Sequence, residues 1–484
     1  MLAATFLPLL GLMASTAAAE TIHGVVVFTR HGDRTTKHYG AQKLTSLGAS
    51  QCFQVGSAYR ARYIASDSPH RISGISEFDY NPSQVYATAP SQAILMNTAT
   101  AFLQGLYPPL VGLDAELATQ TLNNGSKSTS PLNGYQYVTL QGVVANSPDT
   151  IWIKGDDACP AQMQAADAFE QNAEFQTRLA DTRGFYQSFF PVLQSVYDLE
   201  SPSDLSYAKA YDVFDLINVA RIHNATSPAR DVTEDQLFQL RTLADSAEFG
   251  YNYNRTQRAR SIHAETLAAG ILAQLNKTVS SAGKLKFSLL AGSYDTMLAF
   301  FGLTNLTSAS PDFFGLPGYA STMAFELFSP ETETSFPADP SASLRVRFRF
   351  QNGTESSLDA FPLFGGNEVS LSWPEFVDRM QPRAITTAAK WCATCGGKAD
   401  FCAAYADGEG NANATSASSG GMSNAVAGVI GAMVTLGMVT VVGILAYVLL
   451  RKRATRAKVA HAMVVRSEDM ASLQKHDSSR SSEV

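Results

Sequence analysis

The stretch GVVVFT, Gly24 to Thr29, constrains the fold more than any other part of the chain. Its apolar residues do not alternate with polar ones, as they would in a strand with one wet face. A run of this kind reads as a strand buried on both faces, as in a parallel sheet covered by helices. KFSLLAGSYD, Lys286 to Asp295, repeats the plan: an apolar β-rich run, small residues, then a polar tip. QVYATAP, Gln84 to Pro90, predicts another short strand, followed by a helix that Pro108 and Pro109 must stop. RVRFRFQ, Arg345 to Gln351, alternates cleanly and predicts a half-exposed strand.

Helical patterns lie between these runs. LTSLGASQCFQVGSAYRARYI, Leu44 to Ile64, carries Leu47, Cys52, Val55 and Tyr59 at helical spacing, with Cys52 toward a core. The region from about 140 to 275 is mainly helical in pattern, and Ser201, Pro202 and Asp204 give it one clear start signal. The expected class is α/β: a three-layer sandwich with a mostly parallel or mixed sheet and a helical second domain.

The two ends read differently. MLAATFLPLLGLMASTAAAE begins with an apolar stretch and ends in a small-residue Ala17-x-Ala19 site, which predicts a signal peptide over 1–19. A second apolar run, 425–450, is uncharged and precedes the basic cluster RKRATRAK. It predicts one transmembrane helix, a cytoplasmic tail at 451–484 and a type I placement, with the domain facing the cell surface or a secretory or vacuolar lumen. The linker NANATSASSGG falls within 411–424, leaving 20–410 as the globular part. Seven N-x-S/T sequons, starting at Asn124, Asn224, Asn254, Asn276, Asn305, Asn352 and Asn413, agree with a secreted glycoprotein.

The chain carries a formal charge of −7, and the segment after Leu450 is net basic, so the remainder is more acidic still. No basic stripe is present, which argues against a nucleic-acid partner. Five cysteines leave one unpaired in an oxidising compartment. Cys392-x-x-Cys395 has Cys402 nearby but no histidine, so disulfides are expected and no metal. Cys159 should pair with one of these three, the other two with each other, and Cys52 should stay free.

The run at Gly24 ends in Arg30-His31-Gly32-Asp33-Arg34. Phosphoryl transfer to a side chain needs a neutral nucleophile, fixed positive donors and an acid for the leaving group. His31 can attack through an imidazole nitrogen, and Arg30 and Arg34 offer planar, permanent charges. RHGDR, then LTSLGASQ (Leu44 to Gln51), TAFLQGLYPP (Thr100 to Pro109), AAGILAQL (Ala268 to Leu275), Tyr294-Asp295-Thr296 and PGYASTMAFEL (Pro317 to Leu327), in that order, resemble the histidine acid phosphatases, the branch that includes acid phosphatases and phytases. The resemblance implies an α/β sandwich with a helical second domain, and no cofactor. It makes His31 the phosphohistidine nucleophile, Asp295 the proton donor, and Arg30 and Arg34 phosphate ligands.

Two positions depart from that family. Aligned back from Gly105-Leu106-Tyr107-Pro108-Pro109 without gaps, its third phosphate-binding arginine falls on Thr88, and its second histidine on Tyr294. No Arg or Lys occurs between Arg71 and Lys127, and no His between His263 and His461, so no local slip restores either. Thr36, where proline is common, predicts a looser loop. The functional expectation is a membrane-anchored acid phosphatase that hydrolyses phosphomonoesters and is weakened at Thr88 and Tyr294. The alternative is an inactive pseudophosphatase that binds a ligand or a protein.

Overall fold

The structure, a computed structural model, describes residues 20–408 apart from 197–198 and 332–334. Seven strands of the main sheet are numbered in chain order: β1 (Thr21–Arg30), β2 (Val85–Pro90), β3 (Gln141–Val143), β4 (Phe287–Gly292), β5 (Thr322–Ser329), β6 (Arg345–Gln351) and β7 (Ser370–Ser372). They lie in the order β7-β6-β5-β1-β4-β2-β3, with the short strand Asp359–Ala360 against β6. β1, β4, β2 and β3 run parallel, whereas β5, β6 and β7 are joined by antiparallel ladders. The sheet is therefore mixed.

β1 is buried along nearly its whole length, as its unbroken apolar run requires. Val25 and Val27 join the core beneath α1 (Ser46–Tyr63) and α2 (Ala93–Leu106), with Val55, Tyr59 and Phe102. Val26 and Phe28 face the other core, built from α3 (Ala210–His223), α4 (Glu234–Asn252), α5 (Ile262–Ser280) and α6 (Tyr294–Leu303). Alternate side chains of one strand thus bind two helical layers to one sheet. Burying an aliphatic or aromatic side chain fully contributes about 1.5–3 kcal/mol.

Three local readings change. Leu47 is 44% exposed, because α1 turns only Cys52, Val55 and Tyr59 of the expected set inward. The Ser201 signal starts a single turn, Pro202–Asp204, held by the Asp204 carboxylate accepting from the Ser201 amide, and the long helix begins at Ala210. The arginines of β6 alternate outward as expected, but Arg347 and Arg349 converge on Glu326 of β5, which is fully buried. Burial opposes ionisation of Glu326, and Arg347 and Arg349 overcome it, bringing the carboxyl down to about 2.

The membrane reading is corrected. Among the described residues no helix is long and apolar enough to cross a bilayer. The two longest, α4 and α5, have 19 residues each and carry charged groups such as Asp235, Arg241, Glu265 and Lys277. The segments 1–19, 411–424, 425–450 and 451–484 lie outside the described residues. The fold class is restated as an α/β sandwich with a mixed sheet and a helical region. The expected transmembrane helix, one-helix anchor and type I placement are therefore not supported by the described residues.

The disulfides follow the expected pattern, Cys159–Cys395 and Cys392–Cys402, with Cys52 free and buried on α1. Their sequence separations are 236 and 10 residues. Removing the first as Cys159→Ala/Cys395→Ala should cost about 5 kcal/mol in the chain-entropy picture, and removing the second about 3 kcal/mol. Denaturant melts of the two double variants check the ranking; equal losses would contradict it.

Candidate active site

The site forms where β1 and β4 end side by side, Arg30 opposite Gly292 in the parallel ladder. The carboxyl ends of parallel strands gather ligand-binding groups in open α/β sheets. Beyond β1 comes His31, and beyond β4 come Tyr294 and Asp295, at the first turn of α6.

The RHGDR turn rests directly on α1. A Cβ on Gly32 would come within 2.2 Å of the Gly48 carbonyl oxygen, and one on Gly48 within 2.0 Å of the Asp33 oxygen. Only two glycines allow so close a backbone approach. The Thr45 amide donates to the Asp33 carbonyl at 3.0 Å, and Gln51 Oε1 accepts from the Asp33 amide at 2.8 Å. The Thr45 hydroxyl also donates to the Asp33 carboxylate, which His223 Nε2 meets at 2.6 Å. LTSLGASQ is thus a brace for the turn that carries the nucleophile.

His31 is 3% exposed, and its Nδ1 lies 2.9 Å from the Gly32 carbonyl. That contact places the ring proton on Nδ1 and leaves Nε2 as the basic nitrogen. Among the described residues Nε2 has no protein hydrogen bond. Burial, then the charges of Arg30 and Arg34, hold the imidazole pKa well below its ordinary 6.5. Its neutral form is therefore favoured further into the acidic range than that of a solvated histidine.

The two arginines are placed as expected but are not idle. Arg34 is fully buried; its Nη1 and Nη2 reach the two Asp215 oxygens at 3.2 and 3.1 Å, and Nη2 donates to the Tyr211 hydroxyl at 2.8 Å. Arg30 donates to the Pro317 carbonyl, and its guanidinium lies 5.0 Å from the Tyr294 ring centroid and 4.7 Å from that of Tyr319. A cavity of about 70 Å³ remains between Arg30, Tyr211, Asp215, Arg241 and Tyr319.

Tyr294 stands beside Arg30 and is 2% exposed. Its ring stacks on Tyr211 at 5.0 Å. Its hydroxyl donates to Glu248 at 2.9 Å and accepts from Lys37 Nζ at 2.9 Å. Burial raises the pKa of the Glu248 carboxyl, as does the nearby Asp295. Asp295 is partly exposed; its Oδ1 accepts from the Thr296 amide at 2.7 Å, and Oδ2 has no hydrogen bond among the described residues.

Arg30, His31, Arg34, Tyr294 and Asp295 are thus brought to one end of the sheet, and Thr88 is not. In the ladder Thr88 is level with Leu290 and hence Phe28, two residues short of the Arg30 rim. Its hydroxyl donates to the Gln141 carbonyl at 3.0 Å and it lines another cavity, of about 770 Å³, with Trp152, Gln274 and Trp373. Thr36 does not loosen the loop: its hydroxyl donates to Asp215 at 2.8 Å, and the Lys37 amide donates to the same oxygen at 2.9 Å. Sequence reasoning missed Lys37, Tyr211, Asp215 and Glu248. The i,i+4 spacing of Tyr211 and Asp215 on one helix face was the available signal.

The family described as Histidine phosphatase superfamily (branch 2) matches residues 37–349, well over half the chain. A lysosomal acid phosphatase of Xenopus laevis is 23% identical over 362 residues, covering 72% of this chain and 73% of its own. Among solved structures, the phytase of Klebsiella sp. ASR1 aligns with a TM-score of 0.51 at 13% identity, over 76% of this chain and 97% of that one, a likeness of fold. The apo phytase of Hafnia alvei aligns with a TM-score of 0.49 at 14% identity, over 79% and 99%. The matched range, the ordered motifs and the fold agree: the chain belongs to the histidine phosphatase superfamily, branch 2.

Proposed function

We propose that the protein hydrolyses phosphomonoesters through a phosphohistidine on His31, with a phosphate site weakened by Tyr294. The observation that carries this reading is the tethered Nδ1 of His31, which leaves Nε2 as the basic nitrogen of a ring held neutral by burial and by the nearby charges of Arg30 and Arg34. Nε2 attacks phosphorus, the ester P–O bond breaks, and Asp295 hands its proton to the departing alcohol. Asp295, now a carboxylate, takes a proton from water as the water's oxygen attacks the phosphohistidine. Inorganic phosphate leaves and His31 is regenerated. Arg30 and Arg34 stabilise the charge that builds on the equatorial oxygens.

A second reading, a pseudophosphatase that binds a ligand without turning it over, rests on Tyr294 and on the Arg34–Asp215 pair, which reduces the net positive charge offered to phosphate. Leaving-group dependence separates the two. With Asp295→Asn, turnover of an alkyl phosphate such as glycerol phosphate should fall about 10²–10⁴-fold. p-Nitrophenyl phosphate, whose leaving group needs no proton, should lose about tenfold or less on the same acid–base grounds. Equal losses for both esters would remove Asp295 from its role. A wild type that turns over neither ester between about pH 3 and 7, the range in which carboxyls and histidines titrate, leaves the pseudophosphatase reading standing.

A further inference from the structure

Arg30, Arg34, Arg241 and Lys37 put four cations around the site, and they are not equally engaged. Arg34 is paired with a carboxylate on both terminal nitrogens. Arg241, the next candidate around the small cavity, is bound to Asp245 and to the Leu316 carbonyl. Lys37 differs. Its Nζ donates to a neutral phenol, Tyr294, and lies 4.8 Å from the ring centroids of both Tyr211 and Tyr294. An ammonium has three donors, so this contact leaves two for another acceptor. The Lys37 backbone is tied down, its amide donating to Asp215 beside Thr36. Its charge is also close enough to His31 to contribute to holding the imidazole neutral.

We propose that Lys37 is a substrate-binding residue whose ammonium donates to a phosphoryl oxygen held at His31, supplying the positive charge that Tyr294 lacks. The proposal rests on the phosphohydrolase reading above. Tyr294 then serves as a post: its hydroxyl, oriented by Glu248, aims the ammonium from the side where an imidazole would otherwise stand.

The test measures affinity for inorganic phosphate by calorimetry on wild type, Lys37→Met, Lys37→Arg, Tyr294→His and the Lys37→Met/Tyr294→His pair, with a thermal melt for each. Lys37→Met should weaken phosphate binding about 10- to 10²-fold, the range for losing one hydrogen bond to a charged group, and Lys37→Arg should keep most of it. In the Tyr294→His background the Lys37→Met loss should shrink, because the imidazole occupies the same face. A merely structural lysine would give the same loss in both backgrounds. Lys37→Gln replaces Lys37→Met if the latter melts early. Phosphate bound by Lys37→Met as tightly as by wild type overturns this proposal while leaving His31 chemistry intact. A wild type that binds no phosphate overturns it together with the phosphohydrolase reading.

Discussion

Tyr294→His should raise kcat/KM for a simple phosphomonoester by about 10²- to 10³-fold, the converse of removing one preorganised donor. Tyr294 stands next to Arg30 at the rim formed by β1 and β4. An imidazole there gives up the stack on Tyr211 but keeps Glu248 as a partner for one nitrogen. The other nitrogen can donate to the phosphoryl group, and Glu248 favours the protonated ring. Thr88→Arg, by contrast, should change kcat/KM by less than about threefold, since Thr88 opens on a different cavity and a donor must reach the oxyanion to stabilise it. The double variant should therefore match Tyr294→His alone. A large gain from Thr88→Arg would mean that the β2 end moves to the site.

His31→Ala should lower turnover by on the order of 10³-fold or more, as loss of a nucleophile does in enzymes that use one. The melting temperature should change little. His31 is neutral, and among the described residues the one hydrogen bond its side chain makes is with its own neighbour's carbonyl, so its removal strands no buried charge. Arg34 is the opposite case: truncating it would leave Asp215 buried with its main partner gone. Turnover and melts on the same preparation separate the two effects. A His31→Ala protein that retains a tenth or so of wild-type turnover would exclude covalent catalysis at this residue.

Much of this fold and site is legible in the sequence. GVVVFT reads as a central strand because a segment without alternation has no face to give to water, and β1 indeed feeds two cores. Cysteine count and compartment narrowed the disulfides to a pattern that the fold satisfies. The RHGDR, LTSLGASQ and Tyr294-Asp295 motifs were readable as pieces of one site because each is local in the chain. What could not be read depends on register and on long-range partners. Counting back from GLYPP gives a position in sequence, but the end of a strand is set by its neighbours, and Thr88 lies level with Phe28, two residues short of Arg30. Leu47 has helical spacing yet points outward, since spacing alone does not say which stripe of α1 meets the sheet. Asp215 and Glu248, which balance Arg34 and orient Tyr294, come from helices nearly two hundred residues or more beyond the motif; the spacing of Tyr211 and Asp215 hints at the first, and nothing local marks the second. A bilayer-length apolar run was equally legible, and the described helices do not supply a span.

The most direct measurement is to mix the protein with labelled phosphomonoester, quench in alkali within the first turnovers, and map the labelled peptide. Alkali preserves a phosphoramidate that acid would hydrolyse. The account predicts phosphate on the peptide that contains His31, absent from His31→Ala and accumulating in proportion to turnover across the acidic range. Turnover without any His31 phosphopeptide, or label on another residue, would contradict it.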